Sequence, residues 1–314
     1  MWDLPESVRV VEVGLRDGLQ AVPEPLPLGT KLQIVDDLIA AGVREIEVCS
    51  FAHPKVLPQL ADAEELLARV PRDPQLRYRG LVPNLRGAQR AAECELDEIT
   101  VVVPAEDGMA LKNQGRRTEE LLADLPAIGE VARSAGQELV VAVACAFFSP
   151  CYGEVSAESR HRVVAAAAEA GASGVYLATT TGQEHPRELY EGIRAVHDAF
   201  PGLSVGAHLH NRNGFAPANA LAALSAGAAW LETSFAALGG DMWFPGDPAV
   251  LGNMATEDLI HLLDGMGIRT GIDLEAVRAI AEQVYDVTGF PRSSFVSRGG
   301  TRADLAAAVW PDPV

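Results

Sequence analysis

A change of hydrophobic period, repeated along almost the whole chain, most constrains what this sequence can fold into. Short runs rich in Val and Ile at 8–13, 45–49, 78–82, 98–103, 139–144, 174–178, 203–208 and 229–233 alternate with stretches whose apolar residues fall at helical spacing. The helical stretches cover 31–41, 59–69, 86–93, 118–135, 156–170, 186–200 and 216–226, and two more, 256–267 and 274–287, follow the last strand. In Ala41-Gly42-Val43, Ala135-Gly136-Gln137, Ala170-Gly171-Ala172 and Ala226-Gly227-Ala228 a glycine stands where a left-handed residue closes a helix before the next strand. Strands separated by helices pair in parallel, because a crossover joins them. The eight strand runs predict an α/β fold, a (β/α)8 TIM barrel over residues 1–290 with residues 291–314 as a C-terminal tail or cap, a short helical extension. An open doubly wound sheet shows the same alternation and is the structural rival. Its nucleotide-binding form needs a glycine-rich turn after the first strand, where this chain reads Gly14-Leu15-Arg16-Asp17-Gly18-Leu19-Gln20.

Length fits one large domain, since 314 residues exceed the roughly 250 of a typical barrel by only a short extension. A formal net charge of −18 argues against nucleic acid and against an anionic membrane surface as partners. No apolar run reaches the roughly 20 residues of a spanning helix, and the first residues lack the basic and apolar regions of a signal peptide. A cytoplasmic enzyme with a small-molecule substrate is expected. The four cysteines, Cys49, Cys94, Cys145 and Cys151, match neither a disulfide framework nor a zinc ribbon. The first three are expected in the core, and Cys151 is the loop cysteine worth testing.

Barrel chemistry gathers where the strands end and the following loops begin, so polar residues are sorted by that position. Arg16 and Asp17 end the first strand, Glu47 lies in the second, His208 and His210 end the seventh, and Asn253 follows the eighth. Two histidines two apart on a strand point the same way, so both imidazoles aim at the barrel mouth. With Asp17 and the side-chain oxygen of Asn253 they offer mixed nitrogen and oxygen ligation for a divalent metal, Mg²⁺ or Mn²⁺ foremost, with Zn²⁺ or Co²⁺ tolerable. His-x-His at a strand end also serves plain hydrogen bonding. Arg16 is either an ion-pair partner or an electrophile for developing oxyanion charge. Glu47, a charge among apolar neighbours, needs a partner such as Arg16 or a substrate proton. His53, His161, His185, His197 and His261 fall in helices or beside prolines, where surface or capping roles are expected. Arg86, Arg90, Lys112, Arg116 and Arg117 could hold a phosphate-bearing carrier or form a solvated face.

Several runs together are specific. Val11-Glu12-Val13-Gly14-Leu15-Arg16-Asp17-Gly18-Leu19-Gln20, Glu45-Ile46-Glu47-Val48-Cys49-Ser50-Phe51, Val82-Pro83-Asn84-Leu85-Arg86-Gly87, His208-Leu209-His210 and Gly252-Asn253-Met254-Ala255-Thr256-Glu257-Asp258-Leu259 resemble 3-hydroxy-3-methylglutaryl-CoA lyase and its metal-dependent lyase and synthase superfamily. The likeness runs in order over residues 8–272. It implies a divalent metal held by Asp17, His208, His210 and Asn253, Arg16 stabilising an enolate, and Glu47 in proton handling. It also implies acyl-CoA bound near Asn84, Lys112 and Asn113, and pairing of barrels into a homodimer; Gln20 is a further substrate-binding candidate.

The sequence departs from the lyase pattern in ways that bear on substrate. Where the lyases place a catalytic cysteine after Ala237-Leu238-Gly239-Gly240, this chain has Asp241, which could replace that thiol in proton transfer. Where they carry an aspartate after the sixth strand, it has Thr179, a neutral hydroxyl facing the substrate side. Asn211-Arg212-Asn213-Gly214 lacks an acidic residue, and Trp243-Phe244-Pro245 adds bulk. The expected activity is a divergent carbon–carbon lyase of retro-aldol or retro-Claisen type on a 3-hydroxyacyl-CoA or related hydroxy or keto acid. A condensing enzyme of a specialised biosynthetic pathway uses the same residues in reverse, and a non-catalytic metal- or ligand-binding homologue is the third reading.

Overall fold

The structure, a computed structural model, describes residues 3–240 and 252–309. Among these residues eight parallel strands close into a barrel: β1 (Arg9–Glu12), β2 (Glu45–Ser50), β3 (Arg77–Leu81), β4 (Glu98–Pro104), β5 (Glu138–Ala144), β8 (Gly174–Thr179), β9 (Ser204–Leu209) and β10 (Trp230–Thr233). A small antiparallel hairpin, β6 (Phe148–Ser149) and β7 (Gly153–Glu154), interrupts the series between β5 and β8. Each barrel strand pairs with its neighbours in parallel register, and β1 closes the ring on β10 through Arg9↔Trp230 to Glu12↔Thr233. The TIM barrel is therefore what the chain forms, and the open sheet is excluded by that closure.

The crossover helices include α1 (Leu28–Ala40), α2 (Ala63–Leu67), α3 (Leu85–Ala91), α4 (Asp107–Gln114), α5 (Thr118–Ser134), α6 (Ala157–Glu169), α7 (Pro186–Ala199) and α8 (Ala216–Ser225). After the last strand come α9 (Thr256–Gly265) and α10 (Leu274–Thr288), then the short α11 (Phe295–Gly299) and α12 (Arg302–Ala307) as the helical extension. Gly42, Gly136, Gly171 and Gly227 all have positive φ, as the helix-glycine-strand pattern predicts. At Gly42 a Cβ would come within 2.2 Å of the Gly271 carbonyl, so glycine is also required by close approach. The sequence missed α4. Its residues Asp-Gly-Met-Ala-Leu-Lys-Asn-Gln show little amphipathic pattern and bury only Met109 and Ala110. Its start is set instead by Glu106, whose carboxylate accepts from the N–H groups of Gly108 and Met109.

Strand parity divides the barrel into two environments. On β2 Ile46 and Val48 pack outward against the helices, as do Val175 and Leu177 on β8 and Val205, Ala207 and Leu209 on β9. The alternate residues point into the lumen, where Val11, Val13, Val140, Ala142, Tyr176, Ala178 and Trp230 form a small separate apolar cluster. Glu47, Arg79, Glu98, Glu232, His208 and His210 share that inward parity and are all buried. A lumen that barrels ordinarily fill with branched apolar layers is here heavily charged. No helix among the described residues is long and apolar enough to cross a membrane.

Candidate metal centre and acyl cavity

The first strand hands its chain to a single π turn over Gly14–Gly18, in which the Val13 carbonyl accepts from the N–H groups of Arg16, Asp17 and Gly18. Such turns are rare and concentrate at functional sites. Gly14 permits it: a Cβ there would lie 2.5 Å from the Phe235 ring. The turn buries both Arg16 and Asp17 at the mouth. Arg16 Nε donates to Glu47 Oε2 at 2.6 Å and Nη1 to Asp17 Oδ1 at 2.7 Å. Gln20 Nε2 donates to the same Asp17 oxygen at 2.8 Å. On the other Asp17 oxygen, Asn253 Nδ2 donates at 2.5 Å and Gly240 N at 3.4 Å. Gly239, at φ +94°, packs so closely that a Cβ would meet Asn253 Nδ2 at 2.6 Å and Asp17 Oδ2 at 2.8 Å.

The two histidines stand opposite Asp17, and Asp17, His208 and His210 each offer a ligand atom within 4.8 Å of the others. His210 Nδ1 lies 2.6 Å from the Thr180 carbonyl, which can only accept, so this nitrogen carries the hydrogen. His208 Nδ1 lies 3.0 Å from Glu232 Oε2, an acceptor when ionised, so it carries one too. The Nε2 atoms that remain face each other at 3.0 Å, with Asp17 Oδ2 3.9 Å from that of His208. Two imidazole lone pairs in opposition need a cation between them. A proton serves, and Glu232 and Asp17 raise the His208 pKa against the burial that would lower it. A divalent ion serves equally, and it suits the charge of the surroundings. The buried polar cluster holds four carboxyl groups, Asp17, Glu47, Glu98 and Glu232, against two guanidiniums, Arg16 and Arg79. Asn253 Oδ1 is buried without a hydrogen-bond partner, the kind of orphan a cation satisfies. The donor set fits a divalent metal.

The remaining electrostatics follow from burial and pairing. Burial opposes ionisation of Asp17, but Arg16 and the histidines outweigh it and hold its carboxyl below the ordinary range. Burial and then His208 push His210 down to about 4, which keeps it neutral near pH 7. Burial likewise opposes the Arg16 charge, yet Glu47 and Asp17 keep that group cationic. Burial raises the Glu47 carboxyl above its usual value, with Arg16 pulling it back.

A cavity of about 390 Å³ opens beside the cluster. Arg16, Asp17, Gln20, His208 and His210 form its polar end, and Val102, Ala142, Ala144, Tyr176 and Ala178 form an apolar wall. Asn113 and Gln114 of α4 line the outer rim with Met109. Not every expected site residue reaches it. Glu47 lies behind Arg16 and is not among the residues lining the cavity; its Oε2 accepts from Arg16 Nε and holds that side chain in place. Thr179 has the outward parity of Leu177; its hydroxyl accepts from His210 N at 3.0 Å, and Thr180, one residue on, lines the cavity instead. Asn84 is the N-cap of α3, accepting from Gly87 N at 3.0 Å, and is turned away from the lining. Lys112 is exposed on α4 outside the lining. Asp241 lies outside the described residues, as do Trp243, Phe244 and Pro245.

The basic cluster resolves mostly into surface pairs. Arg90 meets Glu64, Arg116 meets Asp124 at 2.6 Å and Arg117 meets Asp107 at 2.9 Å, leaving Arg86 and Lys112. His185 caps α7, and His197 bonds the Gly227 carbonyl, as their positions suggested. Cys145, expected in the core, is buried and also lines the cavity. Thr180, Tyr176, Arg79 and Glu232 were missed. For Arg79 and Glu232 the signal was the one that singled out Glu47, a charge alternating with apolar residues along a strand.

A family model described as HMGL-like matches residues 7–284. An (R)-citramalyl-CoA lyase of Chloroflexus aurantiacus is 36% identical over 306 residues, covering 94% of this chain and 95% of its own. A 3-hydroxy-3-isohexenylglutaryl-CoA/hydroxy-methylglutaryl-CoA lyase of Pseudomonas aeruginosa is 33% identical over 91% of this chain and 95% of its own. Among solved structures, an HMG-CoA lyase from Acinetobacter baumannii in complex with coenzyme A and 3-methylmalate superposes with a TM-score of 0.90. It is 30% identical and covers 98% of each chain.

Proposed function

The chain belongs to the HMGL-like family, and from that premise we propose that it is a divalent-metal-dependent lyase cleaving a carbon–carbon bond of a short 3-hydroxyacyl-CoA thioester. The observation that carries this is the opposition of the His208 and His210 Nε2 atoms beside Asp17 at the edge of a cavity that also contains Arg16. Asp17, His208 and His210 would hold the ion, with Asn253 Oδ1 as a further oxygen donor. The oxygen share of that set favours Mg²⁺ or Mn²⁺. When bound, the ion would lower the pKa of the substrate carbinol hydroxyl and orient the substrate oxygens.

This chain's own residues supply the rest. Transfer of the carbinol proton to the Asp241 carboxylate lets that oxygen become the carbonyl of one product as the bond to the neighbouring carbon breaks, its electron pair staying on the thioester fragment as an enolate. Arg16, fixed by Glu47 and Asp17, presents a permanently charged guanidinium to that oxygen. Among the described residues no acceptor stands against its Nη2. Gln20 and Asn253 keep Asp17 from rotating. The wall of Val102, Ala142, Ala144 and Ala178 excludes water from the carbon that gains negative charge. Asp241, next in the chain after Gly240 and at the position of the lyase cysteine, is assigned the return of the proton to that carbon. The reverse condensation uses the same groups.

The test is cleavage by chelator-stripped protein reconstituted with Mg²⁺ or Mn²⁺, using citramalyl-CoA and hydroxymethylglutaryl-CoA and following acetyl-CoA with pyruvate or acetoacetate. Ion-dependent release from at least one thioester is expected. No release from either, or release indifferent to chelation, contradicts the proposal.

A further inference from the structure

Behind the metal-facing cluster lies a second layer of charge that does not line the cavity. Glu232, on β10, is fully buried in the lumen. Its Oε2 faces His208 Nδ1 at 3.0 Å, while its Oε1 accepts from Trp230 Nε1 at 3.1 Å and from Arg79 Nη1. Arg79 comes from β3, three strands away around the ring, and its Nε pairs with Glu98 of β4. Its guanidinium also stands 5.8 Å from the centroid of the Trp230 ring. His208, Glu232, Arg79 and Glu98 therefore form one chain of contacts crossing the barrel interior from β9 and β10 to β3 and β4.

Stability is a poor explanation for this chain. Ion pairs taken out of water regain their desolvation cost only in part, and apolar residues of similar volume often serve a core as well or better. What the chain does provide is a fixed acceptor. Glu232 has one oxygen committed to Arg79 and Trp230, so the other can only face His208. Arginine's rigid fork can engage Glu232 and Glu98 at once, which a lysine ammonium would do without fixing either.

We propose that Glu232 is a positioning residue for the metal centre, held by Arg79 and Glu98: it keeps the hydrogen of His208 on Nδ1 and thereby presents the Nε2 lone pair to the ion that Asp17 and His210 face. This rests on the metal reading given above. Carboxylates behind metal-binding histidines act in this way, and their loss costs about 10–100-fold in metal affinity.

Two measurements test it. The first is nitrogen NMR of metal-free protein labelled at histidine, which should show His208 Nδ1 protonated. The second is the Kd for Mn²⁺ of a triple variant, Glu232→Leu with Arg79→Met and Glu98→Gln, which removes the buried charges together so that none is stranded. This variant should melt no lower than the unmodified protein, lose the fixed His208 hydrogen, and bind Mn²⁺ about 10–100-fold more weakly. Should the triple variant fail to fold, Glu232→Gln gives the same comparison with the shape kept, and a loss of Mn²⁺ affinity in the same direction is expected. A bare Nδ1 in the unmodified protein, or Mn²⁺ affinity unchanged in the folded variant, overturns the inference. Asp17→Ala separates the two levels: if it binds Mn²⁺ normally, the metal reading itself fails. If it loses Mn²⁺ while the Glu232 variants keep it, only the positioning role fails.

Discussion

The two ends of this barrel both carry charge, and they use it differently. At the N-terminal rim the pairs are matched one to one and lie in contact with water: Arg9 with Glu45 at 2.6 Å, and Arg77 with Glu138 at 3.0 Å. At the C-terminal mouth the charges are buried and interlocked, with Arg16 shared between Asp17 and Glu47, and two histidine nitrogens turned toward each other. A matched, solvated pair asks nothing further of its surroundings. An unmatched buried set persists only if something else completes it, and the difference locates the chemistry at the mouth without reference to any relative.

The contrast predicts a descending series of effects. Asp17→Ala or His208→Ala should lower turnover by roughly a thousandfold or more while the fold is retained, measured as kcat with circular dichroism as control. Substitution at Arg16, for example Arg16→Met, should reduce kcat by roughly 10²–10³-fold with a smaller change in KM, since its charge acts on the developing enolate. Activity preserved in either case would erase the distinction between the ends.

A subtler difference lies in pH. Burial lifts Glu257 to about 8 and Glu12 to about 7, and these two carboxyls brace the segment leading into the mouth, accepting from the N–H groups of Ala236 and Phe235. Ala236 and Ala237 there have φ of +58° and +55°, a left-handed conformation costly for alanine and held by that bracing. Between the unfolded carboxyl pKa near 4.5 and these raised values the native state keeps protons that the unfolded chain has lost. Stability from these groups is therefore present at about pH 4–5 and declines as pH rises through 7 to 8. Urea midpoints at pH 5 and pH 8 should show the decline, and Glu257→Gln should flatten it. The smallest effect belongs to the rim: Arg77→Ala should change stability by only about 0–1 kcal/mol and activity by less than twofold. A large loss there would mean that the rim pairs are not independent of the mouth.

How much of this was legible in the sequence depended on whether position along a strand fixes direction. The alternation of periods and the cap glycines pointed to parallel strands joined by helices, with ring closure decided only by the structure, and the spacing of His208 and His210 specified their common aim because strand period is two. The same parity, followed strictly along Val175, Leu177 and Thr179, would have turned Thr179 outward and chosen Thr180. Asn84 and Lys112 were beyond such reasoning, since loop and helix-surface residues take their direction from caps and tertiary contacts. Arg79 and Glu232 were readable in principle, but their partners lie 153 residues apart in sequence and meet only when the ring closes. The π turn that buries Arg16 beside Asp17 has no sequence pattern of its own. It depends on Phe235, far along the sequence but just past the strand that neighbours β1, packing against Gly14.

The central claim, that the unmatched mouth is a divalent-ion site, is tested most directly by counting Mn²⁺ bound to the purified, chelator-stripped protein at saturation. The account predicts one tight ion per chain, abolished by His208→Ala and unaffected by Arg77→Ala. Binding that survives His208→Ala, or no stoichiometric binding at all, would contradict it.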